Sequence, residues 1–121
     1  MHLNLADIVK DSSLRQGVEL EFWKSVYKTD GCWYWNAGFH RSGYGEFVYR
    51  PIPEEMVVVQ AHRLGYFLQN NKDPGKLLVC HHCDNKRCVR GDHLFLGTQA
   101  DNMKDYSEKY QAKKKAGEKN V

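Results

Sequence analysis

The segment Cys80-His81-His82-Cys83-Asp84-Asn85-Lys86-Arg87-Cys88, with His93 and Asn102 downstream, concentrates the chemistry-bearing residues of this chain. Thiolates and imidazoles are the ligands of structural zinc, which takes four of them in a tetrahedron. Cys83, Cys88 and His93 supply three, at successive x4 spacings, so a fourth must come from elsewhere. Cys80 stands at C-x2-C spacing from Cys83, a knuckle spacing common in zinc sites. Cys32 is remote in sequence but lies in an aromatic segment, Gly31-Cys32-Trp33-Tyr34-Trp35. Spacing alone leaves Cys80 and Cys32 both open. One group of these residues could close a zinc site while another holds a second, catalytic ion.

The elements that must position them come from a chain of 121 residues. That length suits one domain, 1–121, with a modest core helped by a metal staple. A hydrophobic content of 41%, with 12% aromatics, speaks for a folded protein. No apolar run approaches the ~20 residues needed to cross a bilayer, so no membrane partner is expected. Met1-His2-Leu3-Asn4-Leu5 lacks a basic flank and a long apolar core, so a secretory signal is not expected and a cytoplasmic setting is. Four cysteines in such a chain favour metal over disulfides, because the cytosol keeps thiols reduced.

The net charge of +3 is a weak pointer to nucleic acid, but its distribution says more. Lys86, Arg87 and Arg90 crowd the cysteine loop, and Lys113-Lys114-Lys115 with Lys119 load the C-terminal tail. Such clusters can neutralise phosphates and release counterions. The plainer reading of the tail is a solvated basic surface.

Residues 3–28 read as helical, with Leu14, Val18, Phe22 and Val26 forming an apolar stripe that Asp30-Gly31 ends. The N-terminal helical segment is thus 1–30, followed by a zinc-bound core over 31–110. Residues 32–36, 44–50 and 56–60 have the aromatic and β-branched enrichment of strands. Residues 61–69 read as a short helix, 70–75 as a break, and 77–81 as a strand. A metal loop over 82–97 follows, with a second short strand near Leu94-Phe95-Leu96. From Thr98 to about Lys113 a helix is expected, with Thr98 as N-cap and Asp101 at the box position. Residues 111–121 form a basic tail in which fraying is expected.

The pattern Val79-x-His81-x-Cys83-Asp84-Asn85-x-x-Cys88-Val89-x-x-x-His93-Leu94-x-x-x-Thr98-x-x-x-Asn102 resembles the HNH endonucleases of the His-Me finger (ββα-metal) superfamily. It is closest to the phage and homing endonuclease branch, whose zinc site uses three cysteines and one histidine. Gly31-Cys32-Trp33-x-Trp35, Gly43-Tyr44-Gly45 and Ala61-His62-Arg63 extend the likeness over roughly residues 31–106. The resemblance implies an α+β fold: a small antiparallel sheet with a zinc-stabilised ββα-metal motif, an N-terminal helix and a C-terminal helix. It implies zinc on Cys32, Cys83, Cys88 and His93, leaving Cys80 as a small buried hydrophobe. The chain departs from many relatives in Lys86-Arg87 and Arg90-Gly91, where the family often has proline, and in Cys80, where some carry a metal-binding aspartate.

Phosphodiester hydrolysis needs an activated water, charge stabilisation on phosphate, and help for the leaving oxygen. A neutral imidazole near pH 7 suits the first task, and a divalent ion the other two. His81 is the expected general base, and strand alternation would place it on one face with Cys83 if the strand persists. Asn102 is the expected ligand of Mg2+ or another divalent ion, which retains several waters. The resemblance implies the same two roles.

Arg63 has two readings: a guanidinium on the scissile phosphate, or a surface residue at a helix entrance. His82 is expected at the surface or on phosphate, and Asp84 and Asn85 in the turn. Arg41, Lys86, Arg87 and Arg90 are the expected contacts to double-stranded DNA. The aromatic residues from Trp33 to Tyr49 suit core and sheet packing better than a stacking platform. The sequence thus reads as a metal-dependent DNA endonuclease, homing-type or nicking, with a homodimer left open. Its rivals are a non-catalytic zinc-stabilised DNA-binding module and a zinc-stapled interaction protein.

Overall fold

Two side-chain caps break the expected N-terminal helix in two. The computed structural model describes residues 2–101, 103 and 104. In it, helix α1 spans Leu5–Lys10 and helix α2 spans Ser12–Lys24. Asn4 opens α1 with a reciprocal capping box to Asp7. Asp11 then adopts an extended backbone, closes α1, and uses Oδ1 to accept the amides of Ser13 and Leu14 that open α2. The stripe survives in part, for Val18 and Phe22 are fully buried. Val26, however, belongs to a strand, β2, over Val26–Lys28, and a short strand β1 at His2–Leu3 precedes α1. The single helix expected over 3–28 is therefore corrected to strand, helix, helix, strand.

The remaining elements fall close to expectation. Strand β3 is Trp33–Trp35, β4 is Glu46–Tyr49 and β5 is Met56–Gln60. Helix α3 (Ala61–Asn70) follows β5 without a linker and stops at Asn71, whose left-handed φ of 53° turns the chain. Strand β6 is Leu78–His81 and β7 is Leu94–Gly97, with a 3-10 turn at Gly91–His93 before β7.

The protein is α+β, but its strands form three small sheets. One has the order β1-β5-β4, its β1–β5 pair being parallel; the others are the antiparallel pairs β2–β3 and β6–β7. Beyond β7 residues 99–101, 103 and 104 are helical. Thr98 and Asp101 make the expected reciprocal box: Thr98 donates its amide to Asp101 Oδ2, and Asp101 donates its own to Thr98 Oγ1. The expected end of that helix near Lys113, the tail 111–121 and Asn102 lie outside the described residues.

One core joins α1, α2, α3 and the β4–β5 pair through Leu5, Ile8, Phe22, Trp35, Phe47, Val57, Leu64 and Phe67. Trp35 stacks on Phe22 at 5.3 Å and meets Phe47 at 6.0 Å. Gly45 permits this, since a Cβ there would sit 2.5 Å from Trp35 Cδ1. Val89, from the metal loop, reaches the same core. The loop is thereby anchored to the body of the protein at the residue after Cys88.

Candidate metal and catalytic site

Backbone pairing brings the remote cysteine to the others. The Trp35 amide donates to the Arg87 carbonyl and the Val89 amide to the Trp33 carbonyl, both at 2.8 Å, with Tyr34 bridged to Cys88. Cys32 lies one residue before this contact. The other arm is the β6–β7 hairpin, in which His81 is opposite Leu94 and the His82 amide donates to the His93 carbonyl at 2.8 Å. Strand β6 ends at His81, so the alternation that would have carried Cys83 onto the face of His81 stops before it. Asp84 takes a left-handed φ of 57°, and Asn85 Oδ1 accepts the Arg87 amide, so both shape the turn.

The ligand atoms of Cys32, Cys83, Cys88 and His93 all lie within 4.8 Å of one another. His93 presents Nδ1, 3.6 Å from Cys32 Sγ and 3.5 Å from Cys88 Sγ. A tetrahedral zinc, with bonds of about 2.3 Å to sulfur and about 2.0 Å to nitrogen, would separate sulfur from nitrogen by about 3.6 Å. The donor set fits a metal ion, and three sulfurs with one imidazole are the soft donors that suit a zinc-like ion. Burial, aided by the neighbouring thiol of Cys32, pushes the Cys88 thiol up to about 12 and raises that of Cys83. These protons must leave when a metal binds. Cys80 is buried, faces Phe95 across the β6–β7 pair, and stands outside the group.

His81 sits at the end of β6, 8% exposed. Its Nε2 lies 3.0 Å from the Cys88 carbonyl oxygen. A carbonyl only accepts, so Nε2 carries the proton, and in the neutral ring Nδ1 is the basic nitrogen. The ring is flanked by His62, with centroids 4.8 Å apart, and by Tyr44 at 6.0 Å; Tyr44 and His62 stack at 5.1 Å. His62 and Tyr44 were not expected at the site, although both lie in segments that carry the family resemblance. His62 is 4% exposed, its Nδ1 has no hydrogen-bond partner, and its pKa is lowered to about 3. Burial is the main cause, then repulsion from His81 and Arg63, against a backbone hydrogen bond at Val79. His62 is therefore a neutral wall of the site.

The cations divide. Lys86 is exposed, donates to the Ser42 carbonyl and lies over the ring of Tyr44, the residue that also flanks His81. Arg87 is exposed between Tyr34 and Phe39, and Arg41 is exposed on the 40–43 turn. Arg63 donates from both terminal nitrogens to the carbonyls of Leu77 and Gly75, bracing the entrance to β6. That placement favours the helix-entrance reading over the phosphate contact. Arg90, also expected on DNA, donates to Asp92 Oδ1 and to the carbonyls of Asp30 and Gly31. His82 is exposed and stacks on Phe95 at 4.3 Å. Gln69, which no motif or spacing singles out, braces the loop from α3: Nε2 donates to the Val89 carbonyl and Oε1 accepts from the Gly91 amide.

Residues 59–104 match the HNH endonuclease family. That stretch holds α3, β6, the metal loop and β7 but not Cys32, which the fold returns to the other three. Among curated proteins the chain is similar to Protein 2.8 of Escherichia phage T7, with 32% identity over 81 residues covering 67% of this chain and 52% of that protein. It is also 34% identical over 76 residues to Protein 7.7 of the same phage, covering 63% of this chain and 55% of that one. The chain spans about half the length of these curated relatives. No solved structure matches it. Among the described residues no helix is long and apolar enough to cross a membrane.

Proposed function

We propose that the protein is a metal-dependent DNA endonuclease that hydrolyses phosphodiester bonds in double-stranded DNA. The observation that carries this reading is the hydrogen bond from His81 Nε2 to the carbonyl of Cys88, a member of the four-donor group. It fixes both the orientation and the tautomer of an imidazole at the end of a strand. Cys32, Cys83, Cys88 and His93 hold a structural zinc ion in this reading, which draws the metal loop into one conformation. His81 Nδ1 takes the proton of the attacking water as general base. Asn102, four residues after Thr98 in sequence, is assigned to a divalent ion such as Mg2+. When bound, that ion supplies positive charge at the scissile phosphate and the leaving oxygen.

Lys86, Arg87 and Arg41 are the proposed backbone contacts, because all three are exposed and Lys86 lies over Tyr44, whose ring also flanks His81. Arg63 acts through β6 by holding the carbonyls that precede it. The family match and the relatives from a phage support this reading and a setting in the host cytoplasm.

The test is cleavage of supercoiled plasmid by zinc-loaded protein with and without Mg2+. Mg2+-dependent nicking or linearisation that His81→Ala and Asn102→Ala each reduce by about 10²-fold or more is expected. DNA binding without any cleavage would favour the non-catalytic module instead.

A further inference from the structure

We propose that Arg90 is a positioning residue for the metal centre, holding the turn that carries Cys32 against the arm that carries Cys88 and His93. The proposal rests on the metal reading of those donors and assigns Arg90 a task that its basic charge did not suggest.

The geometry is that of a staple between segments some sixty residues apart. Arg90 Nη1 donates to the carbonyl oxygens of Asp30 and Gly31, each at 2.8 Å. Its Nε donates to Asp92 Oδ1 at 2.6 Å, and the guanidinium lies over the Trp33 ring at 5.5 Å. Gly31 immediately precedes Cys32, Asp92 immediately precedes His93, and Arg90 itself is two residues after Cys88. One side chain therefore touches the neighbour of two donors and lies close in sequence to a third.

The backbone pairing does not do this alone. Its bond nearest the site joins Val89 to Trp33, where β3 begins, and Cys32 lies just beyond that strand end. Arg90 supplies the next tie, to the two carbonyls of the turn itself. A planar guanidinium can serve acceptors in different directions at once, which an ammonium cannot do with the same fixed geometry. The side chain is 26% exposed, so these bonds are partly shielded from water. Groups that orient ligands from outside the donor set typically change metal affinity about 10–100-fold when removed. A guanidinium held this way is poorly placed to act on a phosphate.

The experiment measures zinc affinity by competition with a chromophoric chelator. It compares the full-length chain with Arg90→Gln, Arg90→Lys, Asp92→Asn and the surface control Lys10→Gln. Arg90→Gln should bind zinc about tenfold or more weakly, Arg90→Lys in between, Asp92→Asn a few-fold weakly, and Lys10→Gln as the parent does. Zinc-saturated Arg90→Gln should keep the parental salt dependence of binding to a duplex oligonucleotide. Zinc affinity within twofold of the parent in Arg90→Gln would overturn the proposal. So would unchanged zinc affinity in both Arg90→Lys and Asp92→Asn, should the glutamine variant not fold. A salt slope reduced by about one with zinc affinity intact would return Arg90 to the phosphate-contact role. Failure of the parent to take up zinc would remove the metal reading itself, an outcome separate from all of these.

Discussion

His81 Nε2 and the carbonyl oxygen of Cys88 are 3.0 Å apart, so the proposed base and the proposed zinc site share a hydrogen bond. The carbonyl's position depends on where the Cys88 thiolate is held. Zinc-free protein supplied with Mg2+ should therefore lose cleavage by about 10²-fold, the scale of a misplaced general base. Adding back one equivalent of zinc should restore it. Full activity of chelator-stripped protein, verified metal-free by elemental analysis, would separate the two sites.

The two cysteines that spacing could not rank should differ sharply. Cys83 is in the donor group and Cys80 is not, although each is close to His81 in sequence. Cys83→Ser should lose stoichiometric zinc and melt at a markedly lower temperature. Cys80→Ser should retain one zinc per chain and lose about 1–2 kcal/mol, because it replaces a buried thiol with a more strongly hydrated hydroxyl. Zinc content and thermal melting of the two proteins decide this, and loss of zinc from the Cys80 variant would refute the donor assignment.

His62 gives stability a defined pH dependence. Its folded pKa is about 3, against an ordinary 6.5 in the unfolded chain. Between these values the unfolded state binds a proton that the folded state refuses, so stability falls as pH is lowered from about 6.5 toward 3. The limiting slope from one such group is about 1.4 kcal/mol per pH unit. The zinc donors also respond to acid, but they do so in parent and variant alike. Urea unfolding at pH 5, 6 and 7 should show a shallower loss in His62→Gln than in the parent. Equal slopes would mean that His62 titrates normally in the fold.

Where local chemistry dominates, the sequence was legible. The run Met56-Val57-Val58-Val59-Gln60 is a strand, and the following helix begins at Ala61 as expected. Thr98 and Asp101 announce their box by identity and spacing. The break at Asp11 was hidden because an apolar stripe resumes immediately after it, and one aspartate closes one helix while opening the next. The two-residue β1 was invisible, since its pairing with β5 depends on a partner more than fifty residues away. Arg90 and Gln69 show the same limit at the site. Their hydrogen bonds reach 20 to 60 residues along the chain and leave no periodic trace.

Helix α3 and the metal loop meet at Gly65, where two effects oppose one another. Alanine is the better helix former, by about 1 kcal/mol. A Cβ at Gly65, however, would lie 2.9 Å from the Val89 carbonyl oxygen and 3.2 Å from both Phe22 Cζ and Val89 Cβ. Phe22 and Val89 are almost completely buried, and the Val89 carbonyl is held at 2.7 Å by Gln69. None of the three neighbours can swing away as an exposed side chain would. Overpacking of this kind costs about 1–3 kcal/mol, so it should outweigh the propensity gain. Gly65→Ala should be destabilised by up to about 2 kcal/mol in urea. Because Val89 follows Cys88, it should also release zinc to a chelator more readily than the parent. A variant as stable as the parent would show that α3 can move outward without disturbing the loop, and that the contact is not what seats the metal site on the core.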